Sequence, residues 1–181
     1  MARIIGFCGY CGVGKTAAVD FLESIGFGSR VYVGKFVLDE IQTAGLVRTP
    51  ESEKKVRLCL RERHGSGFLA TLAQPLVQSI SIAGTNVLID AVASLDEARH
   101  YQTHFGERFE LIAISSSFER RLARLATRGS RSMNEVEIRE RDEIEGAELR
   151  SDLLLASAKA AVENNSSMEA FCASLRAAIG C

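Results

Sequence analysis

The stretch from Ile4 to Thr16 reads IIGFCGYCGVGKT, and it decides the fold. Its first five residues form an apolar run typical of a buried strand. The next eight match the phosphate-loop pattern GxxxxGK followed by Ser or Thr, and Ala17 to Leu22 have the composition of a helix. A glycine-rich turn between such a strand and helix surrounds phosphates with backbone N–H groups at the positive end of the helix. The sequence therefore predicts a P-loop at residues 9–16. The alternative is a glycine-rich turn with a surface lysine.

Each part of this P-loop has an expected chemical role. Its glycines allow the backbone to approach the phosphates without clashes from Cβ atoms. Lys15 is expected to bridge the outer phosphates, and the Thr16 hydroxyl is expected to bind Mg²⁺. The expected nucleotide-binding residues of the loop are Gly9, Tyr10, Cys11, Gly12, Val13, Gly14, Lys15 and Thr16.

The composition is ordinary for a single α/β domain. The chain has 181 residues, of which 46% are hydrophobic, and its net charge of −1 gives no reason to expect nucleic acid or an anionic membrane as a partner. No uncharged apolar run approaches the roughly 18 residues of a membrane-spanning helix, and the chain enters a core strand almost at once. Five irregularly spaced cysteines are typical of reduced thiols. We therefore expect a cytoplasmic protein without a signal peptide.

Strand and helix patterns alternate along the chain. Further strands are predicted at 30–33, 86–90, 109–114 and 160–164. Helices are predicted at 14–25, 35–45, 51–63, 67–82, 95–104, 118–127, 134–148 and 168–179. This alternation predicts an α/β protein with the three-layer P-loop NTPase fold, in which a five-stranded parallel sheet has helices on both faces. We expect one domain over 1–181, with an acceptor-side helical region at about 34–82.

Asp90 ends the third predicted strand, Asn86 to Asp90. A carboxylate in this position lies across from a P-loop and holds Mg²⁺, usually through water, so that Thr16 and Asp90 are the predicted metal-binding residues. The alternative is that the aspartate only favours the turn that follows.

Arginines are concentrated between residues 119 and 131, where five of thirteen residues are arginine. On a helix, Arg120, Arg124 and Arg128 would share one face, and Leu122 and Leu125 another. Because phosphoryl transfer depends on positive charge around the phosphate oxygens, we interpret 119–147 as an arginine-bearing helical lid. The alternative is a solvated basic face that pairs with the acidic stretch between Glu135 and Glu148.

Together these features resemble the nucleoside-monophosphate-kinase branch of P-loop proteins. Over essentially the full chain they are most similar to a largely uncharacterised family of small kinase-like proteins related to adenylate kinase or dephospho-coenzyme A kinase. Besides the P-loop, the resemblance rests on Val33-Gly34, Asp90, Ser94-Leu95-Asp96-Glu97, Phe105-Gly106, Arg124-Leu125, Arg128-Gly129-Ser130-Arg131, Arg141-Asp142 and Asn164.

The resemblance implies ATP and Mg²⁺ as cofactors and assigns further roles. Arg124 would lie against the adenine ring, and Arg128 would contact the nucleotide phosphates. Arg131 and Arg141 would be lid arginines that approach the transferred phosphoryl group or the acceptor. The segment after Asn164 would border the base. These residues join Lys15 and Asp90 as candidate catalytic and nucleotide-binding residues.

Two positions depart from the family pattern on the acceptor side. The family tends to have an arginine shortly after a Gly-Asp pair that opens the second helix, where this chain has Gly34-Lys35 and then Leu38. After the third strand, the family tends to have Asp-Gly-x-Arg. This chain has Asp90-Ala91-Val92-Ala93 there, so that Ala93 stands in place of the arginine. Basic residues of the intervening helices are candidate substitutes, namely Lys35, Arg48, Arg57 and Arg61.

The sequence thus favours an ATP- and Mg²⁺-dependent kinase that acts on a small-molecule acceptor, such as a nucleotide or a nucleotide-like metabolite. The alternative is a nucleotide-binding module or slow NTPase that signals to a partner. A nucleic-acid partner is disfavoured, since no aromatic residues interrupt the arginine run. The acceptor's identity and a homo-oligomeric state both stay open.

Overall fold

A five-stranded parallel sheet is the centre of the protein, as seen in a computed structural model that describes residues 1–129 and 132–181. The strands lie in the order β2-β3-β1-β4-β5. Their bounds are β1 Ile4–Cys8, β2 Ser29–Tyr32, β3 Val87–Asp90, β4 Phe109–Ser115 and β5 Ala160–Glu163. Every residue of β1 is buried, as expected for a central strand with helices on both faces. The predicted sheet is therefore confirmed.

Helices connect the strands, and most begin where the sequence predicts. Their bounds are α1 Lys15–Ser24, α2 Gly34–Thr43, α3 Pro50–His64, α4 Phe68–Ile82, α5 Leu95–Phe105, α6 Phe118–Ala126, α7 Glu135–Leu149, α8 Ser151–Ala156 and α9 Met168–Ile179. Thr49 caps α3, Ser94 caps α5 and Ser167 caps α9, each by accepting a hydrogen bond from a backbone N–H group of the first turn. The short α8 was not predicted; it follows Arg150, whose left-handed conformation ends α7.

Two apolar cores lie on opposite faces of the sheet. Side chains alternate along a strand, so β1 contributes Ile4 and Cys8 to one core, and Ile5 and Phe7 to the other. Side chains of α2, α4 and α5 complete the first core, and those of α1 and α9 complete the second. These three layers agree with the predicted architecture. Within the described residues, no helix is both long and apolar enough to cross a membrane.

The segment predicted as a lid folds into α6 and α7, which pack on the P-loop. Leu125 and Ile138 form a small third core with Cys11 of the P-loop. The predicted helix face of Arg120, Arg124 and Arg128 is wrong in one respect. Because α6 ends at Ala126, Arg128 lies beyond the helix.

Candidate nucleotide-binding site

The P-loop joins the buried β1 to α1 through three glycines with positive φ, Gly9, Gly12 and Gly14. A Cβ atom on Gly9 would collide with the carbonyl of Ile114 in β4, and one on Gly14 would collide with the side-chain amide of Asn164. Both the conformation and the close approaches therefore require glycine at these positions. The turn runs from the carboxyl end of β1 to the start of α1. The first backbone N–H groups of a helix have no intrahelical partner, so they are available to a ligand there.

Lys15 folds back over its own loop. Its Nζ donates to the carbonyl oxygens of Gly9 at 2.5 Å and Tyr10 at 3.0 Å. Burial lowers the pKa of Lys15, whereas the nearby carboxylates of Glu145 and Asp90 favour its charged form. The ammonium group is thus fixed at the mouth of the P-loop.

Thr16 and Asp90 face one another from α1 and from the end of β3. The Thr16 hydroxyl donates to Oδ1 of Asp90 across 3.4 Å, and Asp90 is only 5% exposed. Burial raises the pKa of Asp90, whereas Arg30 and Lys15 lower it. Arg30, which the sequence analysis did not single out, places Nη1 3.9 Å from Oδ2 of Asp90. A buried carboxylate next to a hydroxyl is a donor set that suits Mg²⁺.

The pair supplies only part of a coordination shell. Across residues 1–129 and 132–181, no cluster of three or more His, Cys, Asp or Glu side chains is able to hold a metal ion. Mg²⁺ commonly takes one or two protein oxygens and completes its shell with phosphate and water. Thr16 and Asp90 fit that pattern.

Arg124 and Asn164 tie the P-loop to α6 and to the end of β5. Arg124 donates through Nη2 to the backbone oxygen of Asn164 at 2.8 Å and through Nη1 to the Gly12 carbonyl at 3.4 Å. Asn164 is 4% exposed, and its Nδ2 donates to the Val13 carbonyl at 2.8 Å. Both predicted nucleotide-binding residues therefore lie against the P-loop, where they also fix its shape.

Arg121 is a residue that the sequence analysis missed. It is 5% exposed, and its Nε donates to the Cys11 carbonyl at 2.7 Å. Its two terminal nitrogens bind both carboxylate oxygens of Asp142 in α7, at 2.6 to 2.8 Å. The rings of Tyr10 and Phe118 lie 5.4 and 5.9 Å from the guanidinium carbon. Arg121 stands four residues before the buried Leu125, and this spacing was the available signal that it faces inward.

The remaining predicted arginines differ in their surroundings. Arg141 of α7 donates through Nε to Glu145 at 2.7 Å, and both residues lie near Lys15. Arg128 is exposed and has no hydrogen bond or ion pair to any residue that the structure describes. Arg131 lies outside the described residues. The structure thus brings Arg141, but not Arg128, toward the P-loop.

The two changed acceptor positions carry no charge into the crevice. Leu38 packs against the first core as a partly buried apolar side chain. Ala93 follows β3, and its backbone N–H donates to Oε2 of Glu97 at 2.7 Å. An acceptor held by arginines at these two positions is therefore not an option in this chain.

Comparison with known proteins places the site in context. The family described as "AAA domain" matches residues 5–146. The UPF0200 protein of Thermococcus sibiricus is 34% identical over 146 residues, which cover 78% of this chain and 76% of the relative. Among solved structures, a shikimate kinase from Bacteroides thetaiotaomicron superposes with a TM-score of 0.63 at 11% identity, covering 99% of both chains. A gluconokinase from Sinorhizobium meliloti gives a TM-score of 0.55 at 13% identity, covering 99% of this chain and 91% of the other.

The two structural likenesses show the fold alone, whereas the sequence matches show the family. The likeness to kinase structures agrees with the order of the strands and with a P-loop at the carboxyl end of the central strand. From its match to the AAA domain and its identity to archaeal relatives, the chain belongs to the UPF0200 family, with the fold of P-loop kinases.

Proposed function

We propose that this protein transfers the γ-phosphoryl group of ATP, with Mg²⁺, to a small-molecule acceptor. The observation that carries the proposal is the convergence of three groups at one edge of the sheet. Lys15 lies at the mouth of the P-loop, and Thr16 approaches Asp90 to 3.4 Å beside it. A cation, a hydroxyl and a buried carboxylate next to a P-loop are the groups that position a nucleoside triphosphate and its metal.

In this proposal each part of the site has one task. Backbone N–H groups of the P-loop bind the phosphates, and Lys15 neutralises charge on the outer ones. Thr16 and Asp90 hold Mg²⁺, which when bound supplies further positive charge at the phosphates. Arg124 borders the base near Asn164, and Arg128 contacts the nucleotide phosphates. Arg131 and Arg141 act as lid arginines that approach the transferred group or the acceptor.

The reaction is an in-line displacement. An acceptor oxygen forms a bond to the γ-phosphorus as the bond from phosphorus to the bridging oxygen breaks, and ADP leaves. The acceptor hydroxyl loses its proton to a nearby base or to water. The contribution of the chain is mainly positioning and electrostatic stabilisation, which agrees with a site rich in Lys and Arg.

Replacement of Lys15 by alanine tests the proposal. We expect ATP turnover to fall by about 10²-fold or more, because the main positive charge at the phosphates is lost. Thermal unfolding should stay close to that of the wild type. Lys54→Ala is the matched control, since Lys54 is an exposed lysine of α3. Turnover that is unchanged in Lys15→Ala would refute the kinase proposal.

A second candidate is a nucleotide-binding module or slow NTPase that signals to a partner. Leu38 and Ala93 favour it, because a nucleotide sensor needs no arginine for an acceptor. The discriminating measurement is the rate of ATP consumption with and without a mixture of small metabolites. Stimulation by the mixture would indicate a kinase, and a rate that depends on water alone would indicate the module.

A further inference from the structure

Among the candidate acceptor-side cations, Arg61 alone has a buried donor without a hydrogen-bond partner within the described residues. Lys35 is exposed and donates to Asp39 at 2.8 Å, and Arg48 donates to the buried Glu53 at 3.0 Å. Arg57 also has a partner. Arg61 differs, because its Nε is buried and has no hydrogen-bond partner among residues 1–129 and 132–181. Arg61 of α3 is therefore the cation best suited to bind a further group.

Glu97 presents the complementary unpaired atom. It lies in the first turn of α5 and is 2% exposed. Its Oε2 accepts from the backbone N–H of Ala93 at 2.7 Å, and its own N–H donates to Ser94 at 3.1 Å. Its Oε1, in contrast, is buried without a partner in the described part of the chain. Capping of α5 therefore explains one carboxylate oxygen and leaves the other without a role.

Electrostatics connect the two residues with each other and with the P-loop. Burial raises the pKa of Glu97 to about 7, against the opposing effect of Arg61 and Arg57. Burial lowers the pKa of Arg61, whereas Glu97, Glu148 and Glu145 favour its charged form. Glu145 also acts on Lys15. The charge of Arg61 thus interacts with Glu97 and also with Glu145, the α7 residue whose charge acts on Lys15.

The two unpaired atoms do not satisfy each other. No ion pair joins Arg61 to Glu97 among the described residues, although their charges interact. A buried polar atom without a partner costs about 1–3 kcal/mol, so native proteins rarely leave such atoms unsatisfied. A ligand with a donor for Glu97 and an acceptor for Arg61 would satisfy both.

We propose that Glu97 and Arg61 form the acceptor subsite and that the acceptor is a hydroxylated anion. Its hydroxyl group donates to Oε1 of Glu97, and its carboxylate or phosphate accepts from the guanidinium of Arg61. The inference rests on the proposed phosphoryl transfer and adds the chemical class of the acceptor. The unpaired Oε1 can accept a hydrogen bond from a hydroxyl group, and the planar fork of arginine matches both anions. A site built to bind a hydroxyl group rejects analogues without it.

Binding of small probes to the full chain tests this subsite without any turnover. The probes are glycerate and glycerol 3-phosphate, each with its analogue that lacks the hydroxyl groups, propionate and propyl phosphate. Dissociation constants are measured by titration in the absence of nucleotide. We expect the hydroxylated member of at least one pair to bind about tenfold more tightly than its analogue. The preferred pair shows whether the anion is a carboxylate or a phosphate.

Two variants assign the binding to the two residues. Arg61→Gln should weaken binding of the preferred probe by about tenfold, because the charged donor is lost. Glu97→Ala should bring the hydroxylated probe and its analogue to similar affinities. Arg63→Gln is the control, since Arg63 is an exposed arginine of the same helix. If Glu97→Ala does not fold, the affinities of the two members of each probe pair are compared for the wild type and for Arg61→Gln, and this comparison tests the subsite.

The inference is overturned if no probe binds, if both members of each pair bind equally, or if Arg61→Gln matches the wild type. These failures are separate from failure of the kinase proposal. A chain that binds the hydroxylated probes while Lys15→Ala keeps full ATP turnover refutes the kinase alone. A chain whose turnover depends on Lys15 but that binds no probe refutes the subsite alone.

Discussion

The P-loop and the proposed acceptor subsite are built in opposite ways. Around the P-loop, the buried Arg121 and Asn164 and the half-buried Arg124 bind carbonyl groups of the loop. On the acceptor side, Arg61 and Glu97 each keep a buried polar atom without a hydrogen-bond partner in the described ranges. The comparison teaches that polar groups fix the shape of the P-loop in advance, whereas on the acceptor side they remain available to a ligand.

Removal of Arg121 should have the largest effect, because it takes away one of the side chains that fix the P-loop. Arg121→Ala leaves the carboxylate of Asp142 and the carbonyl of Cys11 without their buried partner. We expect the free energy of unfolding to fall by about 3–5 kcal/mol, and nucleotide affinity to fall with it. Chemical denaturation and nucleotide titration measure the two effects.

Arg120→Ala provides the control for that experiment, because Arg120 is an exposed arginine on the same helix. It should change the free energy of unfolding by no more than about 0.5 kcal/mol. Equal effects of the two variants would show that Arg121 does not fix the P-loop.

The pH dependence of stability tests the acceptor side. Burial raises the pKa of Glu97 from 4.5 to about 7, so the folded state holds a proton that the unfolded chain has released between these values. The free energy of unfolding should therefore fall by about 3 kcal/mol as the pH rises from 4.5 to 7. Glu97→Gln, which mimics the protonated carboxyl group, should remove this fall and be the more stable protein at pH 8. If the free energy of unfolding of the wild type and of Glu97→Gln changed with pH in parallel, the predicted cost of burying the charged Glu97 would be contradicted.

A smaller effect is expected when a methyl group is added to the P-loop. Gly14 has a φ of 105°, and a Cβ atom there would collide with Asn164. Gly14→Ala should lower the free energy of unfolding by about 1–3 kcal/mol and weaken nucleotide binding, because the loop must move away from Asn164. Gly129→Ala, where a Cβ atom meets open space, should leave both quantities unchanged. Unaltered nucleotide affinity in Gly14→Ala would show that the loop tolerates this movement.

The sequence predicted where the P-loop and Asp90 lie, because the signals for them are local. The P-loop is one continuous pattern, and Asp90 ends an apolar strand whose carboxyl end had to meet the same edge of the sheet. The fold followed from periodicity in the same way. The lid segment was predicted as two helices. Its arginines were assigned from charge and from the resemblance, and neither indicates that α6 ends at Ala126, before Arg128.

The acceptor side was less predictable because its signals depend on distant contacts. Glu97 was part of a sequence resemblance, but nothing local indicates that one of its oxygens is buried and unpaired. The choice of Arg61 among four basic residues required the ion pairs of Lys35 and Arg48. The inward position of Arg121 depended on Asp142, twenty-one residues further along the chain.

The position of the Arg121 guanidinium has a thermodynamic consequence for the proposed nucleotide and acceptor. It joins the backbone of the P-loop to α7 through Cys11 and Asp142, and α7 also carries Arg141 and Glu145. A nucleotide that displaced the Cys11 carbonyl would therefore also displace α7 through Arg121. Thermodynamic linkage makes such an effect reciprocal. If the acceptor favours one position of α7 and so changes the affinity for the nucleotide by some factor, the nucleotide changes the affinity for the acceptor by the same factor.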